Sequence, residues 1–116
     1  MALKRLILEL GMGVDLTGAD YTKAAVKAVR DALWHNSLTI ANAVGQTPHD
    51  MHIEATVGVP KPEQVDKAAV AAVFPYGKVT VEAVEGGLEI MNDEGTNLTL
   101  MANAAVVVYL DIPEKK

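Results

Sequence analysis

The feature that most constrains the fold is a glycine-rich segment between an apolar strand and an amphipathic helix. Leucine occupies every second position in Leu6–Leu10, a period typical of a β-strand with one face against a core. Residues 11–18 contain three glycines, and the helical spacing that follows places Ala25, Val29 and Leu33 on one stripe. The sequence therefore predicts a strand, a glycine loop and a helix over residues 21–36, with Asp20 or Thr17 at its start.

The predicted loop has two interpretations. Backbone amides at a helix N-terminus attract anions, and Asp15 and Lys23 add both signs of charge, which together suit a small polar metabolite. The same segment can also serve as a tight connection without a ligand. It is not a dinucleotide fingerprint, because Leu16 stands where the third glycine belongs, and it has no Walker lysine. The sequence therefore predicts no cofactor.

The rest of the chain predicts a second helix and four more strands. Pro62 suits the first turn of a helix that ends near Val73, because proline lacks the amide hydrogen that a helix start leaves unpaired. Gly86-Gly87 is typical of a hairpin turn between two antiparallel strands. A short helix is also expected in residues 38–44. The predicted strands are residues 51–58, 78–85, 88–90 and 98–110.

This order, β-α-β-α-β-β-β, predicts an α+β fold with one mixed sheet and two helices on one face. The other face mixes polar and apolar side chains, and residues 106–110 are apolar on both sides, which suits a subunit interface. The sequence therefore predicts a homo-oligomer. The side chains assigned to that second face are Ile7, Glu9, His52, Glu54, Thr56, Thr80, Glu82, Thr99, Met101, Asn103, Ala105, Val107 and Tyr109.

Composition excludes several classes of function. The 116 residues suit a single domain, 1–116, and the absence of cysteine excludes disulfides and thiolate metal sites. A net charge of −5, with no basic cluster beyond Lys115-Lys116, argues against a nucleic-acid partner. No apolar run is long enough for a membrane span or a signal peptide. The expected location is cytoplasmic, with no membrane partner.

The segment GMGVDLTG, residues 11–18, resembles the signature GxGxDxHG of the Lin-type family of conserved hypothetical bacterial proteins. Thr17 stands where the family pattern has histidine. Any proton transfer that the family histidine performs is therefore missing in this chain. The element order is also similar to the fold of monofunctional chorismate mutases, YjgF-type enamine/imine deaminases and the C-terminal domain of tubulin and FtsZ. The first two groups imply a trimer with ligand clefts between subunits. The resemblance extends through TKAAVKAV at 22–29, HNSL at 35–38, VGVP at 57–60, FPYGK at 74–78, VEGGL at 84–88 and NAAVVVY at 103–109.

The predicted ligand site combines the glycine loop with the turn at Glu85-Gly86-Gly87. Its members are Gly11, Gly13, Asp15, Thr17, Gly18, Lys23, Glu85, Gly86 and Gly87. Three functions are compatible with it. The first is an oligomer, a trimer or a multiple of one, that binds a small polar metabolite at a subunit boundary. The second is a hydrolase or isomerase of a small amide or cyclic compound, with Asp15 as base and Lys23 as electrostatic stabiliser, and the third is an assembly protein without a ligand.

Two further groups have a simpler interpretation. His35-Asn36-Ser37 is typical of a helix C-terminus. Glu9, His52, Glu54 and Glu82 form the polar face that alternation alone produces, so no metal site is predicted.

Overall fold

A computed structural model describes residues 2–16, 19–34 and 40–112. Strands and helices are numbered separately in chain order, and two 3₁₀ turns lie at Pro48–Asp50 and Pro62–Gln64. The elements are β1 (Ala2–Asp15), α1 (Tyr21–Trp34), α2 (Ile40–Ala43), β2 (His52–Val59), α3 (Lys67–Ala71), β3 (Lys78–Glu85), β4 (Leu88–Met91) and β5 (Leu98–Ile112).

The strands form one mixed sheet built on β5. The order across the sheet is β1-β5-β2-β3, and β4 also pairs with β5, in line with β2. β5 is antiparallel to β1, β2 and β4, whereas β2 and β3 are parallel. The predicted α+β class with a mixed sheet is confirmed.

The helices cover one face of this sheet. α1 contacts β1, β5 and β2, α3 contacts β3, and the two helices contact each other. The core lies between helices and sheet, where Val29, Ile53, Val57, Val106 and Val108 are fully buried. We call the opposite side of the sheet the open face.

The predicted glycine loop is wrong in its first half, because β1 continues through Gly11 and Gly13 to Asp15. A Cβ on Gly13 would lie 2.5 Å from the Ala24 carbonyl oxygen and 2.5 Å from the Ala28 nitrogen. A Cβ on Gly11 would meet the backbone of Ala28 and Ala32. These glycines therefore let α1 pack directly on β1, opposite alanines spaced four residues apart. Thr17 and Gly18 lie outside the described residues.

The phase of β1, meaning which alternate side chains face the helices, also differs from the prediction. Gly11, Gly13 and Asp15 face α1, so Leu8 and Leu10 point to the open face, whereas Ile7 and Glu9 pair with the helix-facing Val108 and Val106. The register shifts between Arg5 and Ile7. The close approach of the helix thus decides which side of β1 is inward, against the hydrophobic pattern of the strand.

The predicted second helix is wrong in its extent. Pro62–Gln64 forms only a 3₁₀ turn, and α3 is restricted to Lys67–Ala71. The Asp66 carboxylate accepts hydrogen bonds from the Ala68 and Ala69 amides at 3.1 and 3.3 Å. An aspartate in this role starts a helix and does not continue one, which explains the break.

The predicted hairpin at Gly86-Gly87 is also wrong. β3 pairs with β2 in parallel and β4 pairs with β5, so the two glycines carry the chain past the end of β2. The Gly86 amide donates to the Val59 carbonyl at 3.0 Å, and Gly87 has φ of +65°. Only glycine suits this crossing, because a Cβ on Gly87 would meet the Met101 carbonyl.

Candidate functional site

The open face of the sheet divides lengthwise into an apolar half and a polar half. The apolar half is formed by β1, β5 and β4, where Leu8 pairs with Val107, Leu10 with Ala105, and Leu88 with Met101. The polar half is formed by β2 and β3. Its side chains are His52, Glu54, Thr56, Lys78, Thr80 and Glu82.

The apolar half is unusually exposed. In the described part of the chain, eleven large apolar side chains are exposed, and seven of them lie on the open face. Leu10 is 66% exposed and Ile90 62% exposed. A surface of this kind, continuous over three strands, marks an interaction site more often than a free surface. The seven are Leu3, Leu8, Leu10, Met12, Val84, Leu88 and Ile90.

A concavity of about 350 Å³ lies where the two halves of the open face meet. Its base is at Gly58, which pairs with Asn103 and lies against Gly86. A Cβ on Gly58 would meet the Asn103 side-chain oxygen, so the missing side chain creates the space. Other lining residues are Leu10, Gly11, Thr56, Val84, Glu85, Ala104 and Ala105. The concavity therefore combines apolar walls with a few polar groups, as ligand sites do.

Asp15 lies on the other side of the sheet, at the start of α1. It is 2% exposed, its Oδ2 accepts a hydrogen bond from the Asp20 amide at 2.9 Å, and its Oδ1 is 3.7 Å from Lys23 Nζ. Asp20 in turn accepts from the Lys23 amide at 3.0 Å, which confirms Asp20 as the helix cap. These contacts hold the end of β1 against the start of α1.

A buried tyrosine lies beside this connection. The Tyr21 hydroxyl donates to Glu89 Oε1 at 3.0 Å. Burial of the phenol, together with this hydrogen bond and the nearby charges of Glu89 and Glu63, raises the pKa of Tyr21. The contact ties α1 to β4.

The structure separates the predicted site residues into groups. Gly11, Glu85 and Gly86 line the concavity, whereas Asp15 and Lys23 do not line it. Gly13 is buried under α1, and Gly87 lies at the chain crossing beside β5. A role in ligand binding stays a prediction for every residue of the predicted site.

The other candidates also separate. His52, Glu54 and Glu82 lie on the open face, whereas Glu9 points to the helices. No group of three histidine, aspartate or glutamate side chains is placed to hold a metal among the residues described. The predicted cap at His35-Asn36-Ser37 lies outside the described residues. In the described helices, none is long and apolar enough to cross a membrane.

Sequence reasoning did not assign seven of the ten lining residues to a ligand site, among them Leu10, Gly58 and Asn103. Leu10 was assigned to the core and Gly58 received no role, while Asn103 was assigned to the mixed second face that suits a subunit interface. One sequence pattern could have indicated Leu10. Gly11, Gly13 and Asp15 alternate along β1 and so lie on one side of the strand, which places Leu8, Leu10 and Met12 on the opposite side.

Fold and surface together define an α+β protein with one mixed sheet, helices on one face and an uncovered apolar face. The chain belongs to the Lin0512 family, described as conserved hypothetical proteins, which it matches over residues 5–108. A crystal structure of an FtsZ-like protein of unknown function from Nostoc punctiforme is similar to it, with 40% identity and a TM-score of 0.86. That match covers 96% of this chain and 98% of the other. No curated protein matches the chain.

Proposed function

We propose that the protein is a homo-oligomer that packs its open face against further copies and holds a small polar metabolite at the subunit boundary. The observation that carries this proposal is the coincidence, on one uncovered sheet face, of seven exposed large apolar side chains and the concavity at Gly58. An apolar sheet face normally requires a cover, and the helices of this chain cover the other side.

Charge favours a second copy as that cover. The chain has a net charge of −5, so two copies repel each other over most of their surfaces. On the open face, however, Arg5 and Lys78 nearly balance Glu54, Glu82 and Asp111. Association through this face therefore keeps most of the negative charge on the outside of the assembly.

The size of the face also fits an interface. β1 pairs with β5 from Ala2 to Asp15, which corresponds to about 45 Å of strand, and three to four strands span about 15 Å. The footprint is on the order of 700 Å², close to the roughly 800 Å² that each partner contributes to a stable interface.

The proposal that a ligand binds rests on polar side chains in the concavity that have no hydrogen-bond partner among the described residues. Neither the Asn103 carboxamide nor the Thr56 hydroxyl forms a hydrogen bond with another residue in the described part of the chain. A neighbouring subunit on the apolar half would enclose these groups, and enclosed polar groups need partners. A small molecule with hydrogen-bonding groups supplies them.

The proposed fold group is that of the chorismate mutases and YjgF-type deaminases, and the proposed assembly is a trimer or a multiple of one. The sheet with helices on one side supports this assignment, as does the similarity to a protein described as FtsZ-like. This part of the proposal rests on fold similarity, which does not transfer chemistry.

Light scattering at micromolar concentration tests the assembly. The native protein should have a mass of three times 12.3 kDa or a multiple. Leu10→Lys should remain folded yet have the mass of one chain, because Leu10 is exposed in the single chain and a buried lysine charge opposes association. Val44→Lys is the matched control, since Val44 is exposed outside the open face, and it should stay assembled.

The same variants test the ligand in a thermal-shift screen against small metabolites. A compound that raises the melting temperature of the native protein should have little effect on Leu10→Lys, because Leu10 lines the concavity. A native mass of 12.3 kDa contradicts the assembly. An intact oligomer with no stabilising compound contradicts the ligand and favours an assembly protein without one.

A further inference from the structure

A second cavity lies at the opposite end of the open face from Gly58. Its volume is about 460 Å³, and it opens where β2 and β3 begin. In the register, His52 lies between Tyr109 and Lys78, and Glu54 lies between Val107 and Thr80. The lining residues are Leu3, His52, Ile53, Glu54, Lys78, Val79, Thr80 and Tyr109.

The cavity contains two opposite charges that do not neutralise each other. Lys78 is in register with His52, and Glu54 lies two residues further along β2, a rise of about 7 Å along the strand. In the described ranges, neither side chain forms an ion pair. The Tyr109 hydroxyl donates to Glu54 Oε2 at 3.4 Å, a long contact that leaves the carboxylate able to accept stronger hydrogen bonds.

The charge of Lys78 also acts on the Asp50 carboxylate, which does not line the cavity. Asp50 accepts hydrogen bonds from the Thr47 amide at 2.8 Å and from the Thr47 hydroxyl at 3.1 Å. These two bonds, ahead of the charges of Lys78 and His49, hold the pKa of Asp50 below its ordinary value. Among the described residues, the Lys78 ammonium group nevertheless has no carboxylate within ion-pair distance.

We propose that this cavity binds the zwitterionic head of a free α-amino acid. Lys78 and His52 bind the carboxylate of the ligand, and Glu54 binds its ammonium group. Charge-assisted hydrogen bonds at both ends of one small ligand satisfy both unpaired protein charges at once. Leu3 and the ring of Tyr109 provide apolar wall for an aliphatic side chain. The site is about 20 Å from Gly58 along β2, and all of its lining residues come from one chain. It shares the open face with the proposed assembly and requires that this end of the face stays accessible.

Three probes with the same aliphatic tail test this proposal on the full chain: L-leucine, 4-methylpentanoate without the ammonium group, and isoamylamine without the carboxylate. Binding is measured by NMR shifts of the amides at 52–55 and 78–80 during titration at millimolar concentration. L-leucine should shift these amides, and each incomplete probe should bind about tenfold more weakly, because it leaves one protein charge unpaired.

Two substitutions assign the roles. Lys78→Gln should weaken L-leucine and 4-methylpentanoate but not isoamylamine, whereas Glu54→Gln should weaken L-leucine and isoamylamine only. Both side chains are exposed, so both variants should fold. Lys61→Gln is the control, because it removes an exposed lysine outside the cavity and should change nothing. Absence of shifts with L-leucine, or equal binding of all three probes, overturns the proposal.

Discussion

At the scale of single residues, Asp15 shows how a residue selected as a ligand-binding group can have a structural role. Its buried carboxylate accepts a hydrogen bond from the Asp20 amide and lies within ion-pair distance of the Lys23 ammonium group. The hydrogen bond involves a part-buried backbone donor, whereas the Lys23 side chain is 57% exposed. The hydrogen bond should therefore contribute more stability than the ion pair, which solvent screens.

Three variants separate these contributions. Asp15→Ala leaves the Asp20 amide without its acceptor and should lower the free energy of unfolding by about 1–3 kcal/mol. Asp15→Asn keeps an acceptor in the same place, and Lys23→Met removes only the screened partner, so each should cost less than about 1 kcal/mol. Urea unfolding measures all three. A loss for Asp15→Asn as large as for Asp15→Ala would show that the charge, and not the hydrogen bond, stabilises the connection.

At the scale of elements, the chain crossing at Gly86-Gly87 determines the sheet. It moves the chain from the line of β3, past the end of β2, to a position beside β5. β4 therefore has only β5 as its partner in the described sheet, and all four of its residues are exposed. Its position depends on the crossing more than on its own packing.

The pair Gly87→Ala and Gly95→Ala tests this dependence. Both glycines have positive φ, +65° and +70°, so both substitutions incur the same backbone cost of about 1 kcal/mol. At Gly95 nothing lies within 4 Å of the added Cβ, whereas at Gly87 it meets the Met101 carbonyl. Gly87→Ala should therefore destabilise the protein by roughly 1–3 kcal/mol more than Gly95→Ala, and the amides of β4 should lose protection from hydrogen exchange. Equal effects would mean that the crossing tolerates a side chain.

At the scale of the whole molecule, local periodicity was enough to predict that there are five strands, the start of α1, and the mixed sheet, although β1 extends well beyond its predicted bounds. It was not enough to predict the phase of β1. Leu6, Leu8 and Leu10 form the more hydrophobic side of that strand, yet the backbone contacts of α1 require Gly11 and Gly13 on the inner side. The concavity was not predictable for a similar reason, since Gly58, Gly86 and Asn103 come together only through the register of three separate segments. Both failures involve contacts between residues distant in sequence.

The exposed leucine side chains on the open-face side of β1 predict that folding and assembly are linked. If further copies cover the open face, unfolding separates the subunits, and the melting temperature depends on protein concentration by mass action. For the proposed trimer, a hundredfold increase in concentration adds about 5.4 kcal/mol per trimer and should raise the melting temperature by about 7 °C. A larger assembly should show a dependence of the same sign. Leu10→Lys, as a folded single chain, should melt at a temperature independent of concentration, and Val44→Lys should behave like the native protein. Differential scanning calorimetry of all three proteins over this range measures the effect, and a concentration-independent native melting temperature would place the exposed leucines of β1 on the surface of a stable monomer.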